Sequence, residues 1–464
     1  MPANEIDKPT CICRATPGGT NMTSLSSLVL ISIPWLAPAS TASPLQGTSN
    51  RDAHGPLGAL RAAGFRDAVT THAIPMRRQR LAPSTTHPAL HLRANVPARL
   101  RNVYDVYYII DLQVGNQTIP VSVDTGSSDT WLVQEPYECV SFWWDGPGTT
   151  PNCGLGSGLQ GNLSGGILPD LPPFLRSYVD GTFVRGYYGV EDVAIAGVTA
   201  HAQRLAIVNQ AYWHGDGLTS GLLGLAYPYL TSLDGAEANQ PPYDPVFTTM
   251  WKSGAIEPVF SIALSRSGDQ GDSSTSTSTS SGSGKKNEEK KSEEEEEEEE
   301  EESYLALGGL PPVEVDETTW ARTPIHGMKA VPQWGFETDE KGMYIIKPDA
   351  FVVEKAGNST SSGDVIRNTT QIPVLIDVGA TLSYLPKAIV NPLYAAFDPP
   401  AQYLSSGGLF FAPCNATVPR FGVQIGGSTF YMAPEDLLRQ TARDPTGEWC
   451  RVGSEMRFAA RHKY

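Results

Sequence analysis

The chain has 464 residues, 45 of them Gly and 37 Pro, and 40% are hydrophobic. So many turn formers exclude a mostly helical protein and so much apolar content excludes a wholly disordered one, which leaves short strands and turns over a length that holds two lobes. The formal charge of −16 repels phosphate backbones, so no nucleic acid is expected as a partner.

From the amino end, residues 1–42 read as a signal peptide with an N-terminal extension, Met22 being an alternative start. Leu25 to Leu36 is apolar, too short to span a bilayer, and runs into Ala37-Pro38-Ala39 and Ser40-Thr41-Ala42, both suited to a signal peptidase. A buried strand or helix is the competing reading of that run. Beyond the signal, no transmembrane segment is expected.

Residues 43–102 contain nine Arg, two Asp and no Glu, and read as a removable basic propeptide. The acidic body follows. Val106–Val114, the turn Gly115-Asn116 and Ile119–Val123 make a β-hairpin. Residues 267–302 are a Ser/Thr/Gly tract leading into ten consecutive Glu, expected to be a disordered, solvated insertion. Strand-like segments flank it at 258–264 and 304–309, so the insertion interrupts a hairpin. Pro311, Pro312 and Pro324 put the change of lobe near 310–330, dividing the body into 103–310 and 311–464.

Cys11 and Cys13 lie before the expected cleavage site. Cys139, Cys153, Cys414 and Cys450 allow three pairings, of which the spacing favours the two local loops. No Cys-X-X-Cys pair occurs and no His stands at ligand spacing from a Cys, so neither metal nor cofactor is expected. Sequons at Asn116, Asn162, Asn358, Asn368 and Asn415 suit an oxidising, glycosylating route.

Two segments repeat each other. Ile119-Pro120-Val121-Ser122-Val123-Asp124-Thr125-Gly126-Ser127 and Ile372-Pro373-Val374-Leu375-Ile376-Asp377-Val378-Gly379-Ala380-Thr381 are each an apolar strand ending in Asp-X-Gly. Alone, either would be a turn. Together they are a duplication that places one carboxylate at the same point of each copy. Two carboxylates about 3 Å apart cannot both ionise, so the pair keeps one proton, and it can both activate a water and protonate a carbonyl oxygen.

With these motifs, residues 104–450 resemble the pepsin-like (A1) aspartic endopeptidases of the secreted fungal kind. The resemblance implies an all-β, bilobal fold with the cleft between two pseudo-symmetric lobes, and Asp124 and Asp377 as the catalytic pair. Gly126, Ser127, Gly379, Ala380 and Thr381 would complete the two loops, with the Ser127 hydroxyl steadying the first carboxylate. Tyr178 would be the flap tyrosine, Trp131 the ring behind it, and Asp180 and Thr182 the flap tip that touches the substrate backbone. Leu222-Leu223-Gly224 would thread beneath the first loop. The disulfides would be Cys139–Cys153 and Cys414–Cys450. The implied protein is a monomer, secreted or extracellular, with vacuolar and cell-surface variants possible. It would cut polypeptides between bulky apolar residues and be restrained by its own propeptide as inhibitor.

Departures carry expectations of their own. Val378 lacks the hydroxyl that helps lock the loops together, a loss of about 1 kcal/mol. Ala380 lacks a donor toward the neighbouring carboxylate, which should shift the working range toward neutral pH. Only Arg451–Tyr464 follow Cys450, where the family continues with a second apolar-apolar-Gly segment, so the second lobe reads as truncated. That favours an alternative, a non-catalytic pepsin-like protein that holds peptides or cell-wall components.

Overall fold

Apolar residues alternate with polar ones in the segments on either side of Asp124, and a chain so patterned buries one face of a sheet. The computed structural model describes residues 10–14, 27–32, 70–80, 106–141, 152–178, 180–232, 242–264, 303–312, 320–356, 365–380, 382–404, 409–444 and 446–456. Ile110, Leu112 and Val114 are buried while Asp111 and Gln113 between them are exposed. Each such aliphatic side chain contributes roughly 1.5–3 kcal/mol on burial.

Thirteen strands form one sheet: β1 (Thr10–Arg14), β2 (Ser27–Ser32), β3 (Ala73–Arg80), β4 (Val106–Val114), β5 (Gln117–Asp124), β6 (Trp131–Cys139), β7 (Phe174–Ser177), β8 (Phe183–Ile195), β9 (Val198–Tyr212), β10 (Gly221–Gly224), β11 (Val259–Leu264), β12 (Ser303–Leu307) and β13 (Trp320–Pro324). Their spatial order is β13-β1-β2-β11-β12-β3-β4-β5-β10-β6-β9-β8-β7. The β4–β5 hairpin turns at Gly115, whose φ of 57° suits glycine. Strands β11 and β12 pair antiparallel, Phe260 opposite Leu307, so the acidic insertion is spliced into a hairpin. The insertion itself lies outside the described residues.

Four smaller sheets make the second half. The strands are β14 (Ile345–Ile346), β15 (Ala350–Glu354), β16 (Val365–Asn368), β17 (Val374–Leu375), β18 (Ser383–Leu385), β19 (Gln402–Leu404), β20 (Leu409–Pro413), β21 (Arg420–Ile425), β22 (Ser428–Tyr431), β23 (Leu438–Arg443), β24 (Trp449–Val452) and β25 (Ser454–Met456). They pair as β14-β17, β16-β15-β21-β22, β18-β25 and β19-β20-β24-β23. Helix α1 (Lys387–Ala395) lays Ile389, Val390, Leu393 and Tyr394 into this half's core, beside Phe351 and Phe421. Both local disulfides are present, Cys139–Cys153 and Cys414–Cys450.

Two features differ from the sequence reading. The apolar run read as a signal includes β2, which pairs with β1 and β11. Cleavage after Ala42 would therefore withdraw two strands from the sheet of the full chain. Strand β3, within the basic segment, lies between β12 and β4; Met76 on it is buried in the first core. The first core also draws on residues beyond the prolines, since Ala321, Ile325, Tyr344, Ile346 and Ile425 belong to it, while the second begins at Phe351.

Candidate active site

Strand β5 ends on Asp124, and β10 runs parallel beneath it, Leu223 beside Val123 and Gly224 beside Asp124. The Leu225 amide donates to the Asp124 carbonyl at 2.8 Å, and the Ala226 amide to the Ser127 carbonyl at 2.9 Å. Gly224 is required for this threading, because a Cβ there would lie 2.5 Å from the Ser128 carbonyl carbon. The loop is thus fixed from below by backbone, and its carboxylate is only 7% exposed.

Donors surround that carboxylate. The Gly126 amide donates to Oδ1 of Asp124 at 2.7 Å, and the Ser127 hydroxyl donates to Oδ2. In the second copy the Gly379 amide donates to Oδ1 of Asp377 at 2.9 Å, and the Ala380 amide also points at that carboxyl. Ala380 supplies no hydroxyl, and Thr381 lies outside the described residues.

The two loops cross. A Cβ on Gly126 would be 2.5 Å from Oδ2 of Asp377, and one on Gly379 would be 2.6 Å from Oδ1 of Asp124. Each carboxyl therefore sits over the other motif's glycine, and the two share a hydrogen bond. Burial, first, and then the Asp124 charge and that shared hydrogen bond push the Asp377 carboxyl up to about 8.

Thr125 ties the loops together. Fully buried, its hydroxyl donates to the Ile376 carbonyl at 3.0 Å and accepts from the Val378 amide at 2.9 Å. Val378 returns no hydroxyl bond and packs instead against the first core. Half of a reciprocal clasp is present.

The loops are held unequally in another way. Among the described residues, β17 is two residues long and pairs only with β14, whereas β5 has β4 on one side and β10 on the other. The segment after Cys450 still contributes. Strand β25 runs parallel to β18, as β9 runs parallel to β6 in the first copy.

Strands β7 and β8 form the hairpin over this site. The Tyr178 amide donates to the Thr182 carbonyl at 2.8 Å, and the turn passes through Gly181 with φ 90°. Asp180 braces the tip, accepting from the Thr182 amide at 2.9 Å and hydroxyl at 2.7 Å. The Trp131 indole N–H donates to the Tyr178 hydroxyl at 2.7 Å. Burial and then the Asp124 charge raise the Tyr178 phenol far above its usual range, so it stays neutral and lies within electrostatic reach of Asp124.

Sequence reasoning missed four residues here. Thr125 acts across the loop crossing, and Trp213 stands edge-on to both Trp131 and Tyr178, at 5.1 and 5.2 Å between ring centroids. Asp129 and Arg176 form a buried ion pair behind the flap. A signal existed for Asp129 alone, a charge two residues before a strand tryptophan inside the first motif.

A family model described as eukaryotic aspartyl protease matches residues 107–279 and 341–459. A probable aspartic-type endopeptidase of Aspergillus fumigatus is 33% identical over 347 residues, 74% of this chain and 69% of the relative. Secreted aspartic protease 3 of Candida albicans is 26% identical over 70% of this chain and 64% of its own length. Penicillopepsin-1 of Penicillium janthinellum is 24% identical over 70% of this chain and 78% of its own length. With its crossed Asp-X-Gly loops, its flap hairpin and these relatives, the chain belongs to the eukaryotic aspartyl protease family, with the all-β bilobal fold of pepsin-like enzymes.

Proposed function

We propose that this protein is an aspartic endopeptidase in which Asp124 and Asp377 jointly activate a water against a peptide carbonyl. The observation that carries the reading is the mutual placement of the two carboxyls, each over the other's glycine and hydrogen-bonded to one another. Asp377, raised by burial and by its neighbour's charge, holds the shared proton. Asp124, with the Gly126 and Ser127 donors at its oxygens, is the carboxylate. It takes a proton from water as the water's oxygen bonds to the carbonyl carbon, while Asp377 protonates the carbonyl oxygen. Asp124 then passes the proton taken from water to the amide nitrogen as the C–N bond breaks, and Asp377 takes a proton back from a hydroxyl of the tetrahedral intermediate, which leaves a new amine, a new carboxyl end and the pair as it began.

The flap supplies the rest. A hairpin carrying Tyr178 and the Asp180–Thr182 tip closes over an extended polypeptide, excludes water and offers main-chain hydrogen bonds. Apolar pocket walls in such a cleft would suit bulky apolar side chains on either side of the cut. Secretion as a zymogen belongs to the same proposal. Near neutral pH the Arg-rich segment 43–102 is attracted by an acidic body, and acidification protonates carboxylates and weakens that attraction. Precursor processing should then be faster at pH 4 than at pH 7, and equal rates would remove the latch. Among the described residues no helix is long and apolar enough to cross a membrane.

The direct test is cleavage of an unfolded protein by the full chain, with and without pepstatin. Pepstatin-sensitive cleavage that disappears in Asp124→Asn is expected. Saturable peptide binding with no cleavage between pH 3 and pH 8 would establish the non-catalytic reading instead.

A further inference from the structure

Behind the flap lies a charged cluster that the peptide chemistry does not use. Arg176 is on β7, two residues before Tyr178. Asp129 follows the first loop, two residues before Trp131. The Arg176 Nε donates to Oδ2 of Asp129 at 2.5 Å, with side-chain exposures of 8% and 3%.

The cluster is closed on every side. The Tyr243 hydroxyl donates to the other oxygen of Asp129. Arg176 Nη2 donates to the Thr231 carbonyl at 3.3 Å and Nη1 to the Leu175 carbonyl at 3.1 Å. Arg204 stacks on the Tyr243 ring from outside, 4.9 Å from its centroid.

The spacing gives the pair its meaning. Asp129 lies two residues before Trp131 and Arg176 two residues before Tyr178, so the contacts Asp129–Arg176 and Trp131–Tyr178 are two successive rungs between the same two segments. The outer rung is the single neutral hydrogen bond at 2.7 Å that orients the Tyr178 hydroxyl. The inner rung is a buried, charge-assisted contact. Among the described residues, strand β7 is the terminal strand of its sheet and pairs only with β8, so the ladder described ties it to its neighbours on one edge. A buried ion pair is an expensive means of cohesion, and in some proteins such groups fix one geometry.

From this we infer that Asp129 and Arg176 are positioning residues for the flap. The pair fastens the root of the hairpin to the first catalytic loop, so that Tyr178 is held in register with Asp124 while the tip beyond it remains free to open. The inference rests on the protease reading for its consequence in catalysis, and on the geometry alone for its consequence in motion.

Amide exchange on the full chain tests the motion without reference to activity. In the unmodified protein, residues 174–177 should exchange as slowly as β6, with faster exchange confined to the tip at 179–182. The variant Arg176→Met together with Asp129→Asn removes both charges and leaves neither buried alone. It should exchange residues 174–188 about tenfold faster with β20 and β21 unchanged. Its KM for an unfolded polypeptide should rise about tenfold with kcat changed less than about threefold. Arg176→Lys, which keeps a donor and the charge, should recover much of both. Root exchange as fast as the tip in the unmodified protein would overturn the inference. So would a double variant with an unaltered flap, or with exchange raised equally in both halves. Persistent cleavage by Asp124→Asn would overturn the protease reading while leaving the exchange result intact.

Discussion

Thr125 is the residue through which one lobe's loop fixes the other, and Thr125→Val removes the hydroxyl at nearly constant volume. Two hydrogen bonds are lost, at 3.0 and 2.9 Å. Each contributes about 1 kcal/mol net, and more where the abandoned partner is sealed from water. Thr125 is fully buried, and Ile376 and Val378 are part-buried, so each loss stays near its ordinary net value. The expected cost is therefore about 2 kcal/mol in total. Because the bonds place Asp377 against Asp124, most of the loss should appear in the transition state, about thirtyfold in kcat/KM. Val378→Thr, which offers the missing reciprocal hydroxyl, should move the urea midpoint upward. Steady-state cleavage of an unfolded polypeptide and urea unfolding read both effects. A Thr125→Val protein with kcat/KM within twofold of the parent and an unmoved midpoint would show that the loops are held by something else.

Three further outcomes follow from the same geometry. Asp377 has a folded-state pKa of about 8, above the 3.8 of the free side chain, so the folded protein keeps a proton that the unfolded chain loses. Its contribution to stability is full below about pH 4 and declines as pH rises toward 8, so Asp377→Asn should be inactive yet have a higher Tm than the parent at pH 7, with a smaller gain at pH 4. Gly126→Ala would put a methyl 2.5 Å from Oδ2 of Asp377; activity should fall at least a hundredfold, as a displacement of about 1 Å at reacting groups would give, while the urea midpoint moves little. Replacing Cys414 and Cys450 by Ser opens a loop with a sequence separation of 36, worth about 3–4 kcal/mol by chain entropy, and should lower the urea midpoint more than the same change at Cys139 and Cys153, whose separation is 14.

The parts of this molecule that were legible in sequence are those written twice or written locally. Asp124 and Asp377 were found because the framing strands repeat, and Cys139 and Cys414 find their partners within short loops. Trp131 and Tyr178 were placed through resemblance, and they meet as that resemblance implied. What escaped were contacts between segments with no mutual signal. Asp129 and Arg176 are 47 residues apart; Asp129 stands inside the first motif, but on paper Arg176 is an ordinary surface charge and nothing pairs the two. Thr125 looks like a turn residue until the second loop arrives from 251 residues away to accept its proton. The apolar run that includes β2 shows a different limit. A signal segment and a sheet strand have the same composition, and the pairing of β2 with β11 in the full chain could not be read from that run.

The central claim, one proton shared by Asp124 and Asp377 in the service of peptide hydrolysis, is most directly tested by the pH dependence of kcat/KM from pH 2 to pH 9. The measurement is made on the parent and on the double variant Asp124→Asn/Asp377→Asn. The parent should show two limbs, an acid one as the first carboxyl ionises and an alkaline one approaching 8 as the shared proton leaves, with no activity from the double variant at any pH. A parent profile peaking below pH 3, or measurable turnover by the double variant, would contradict it.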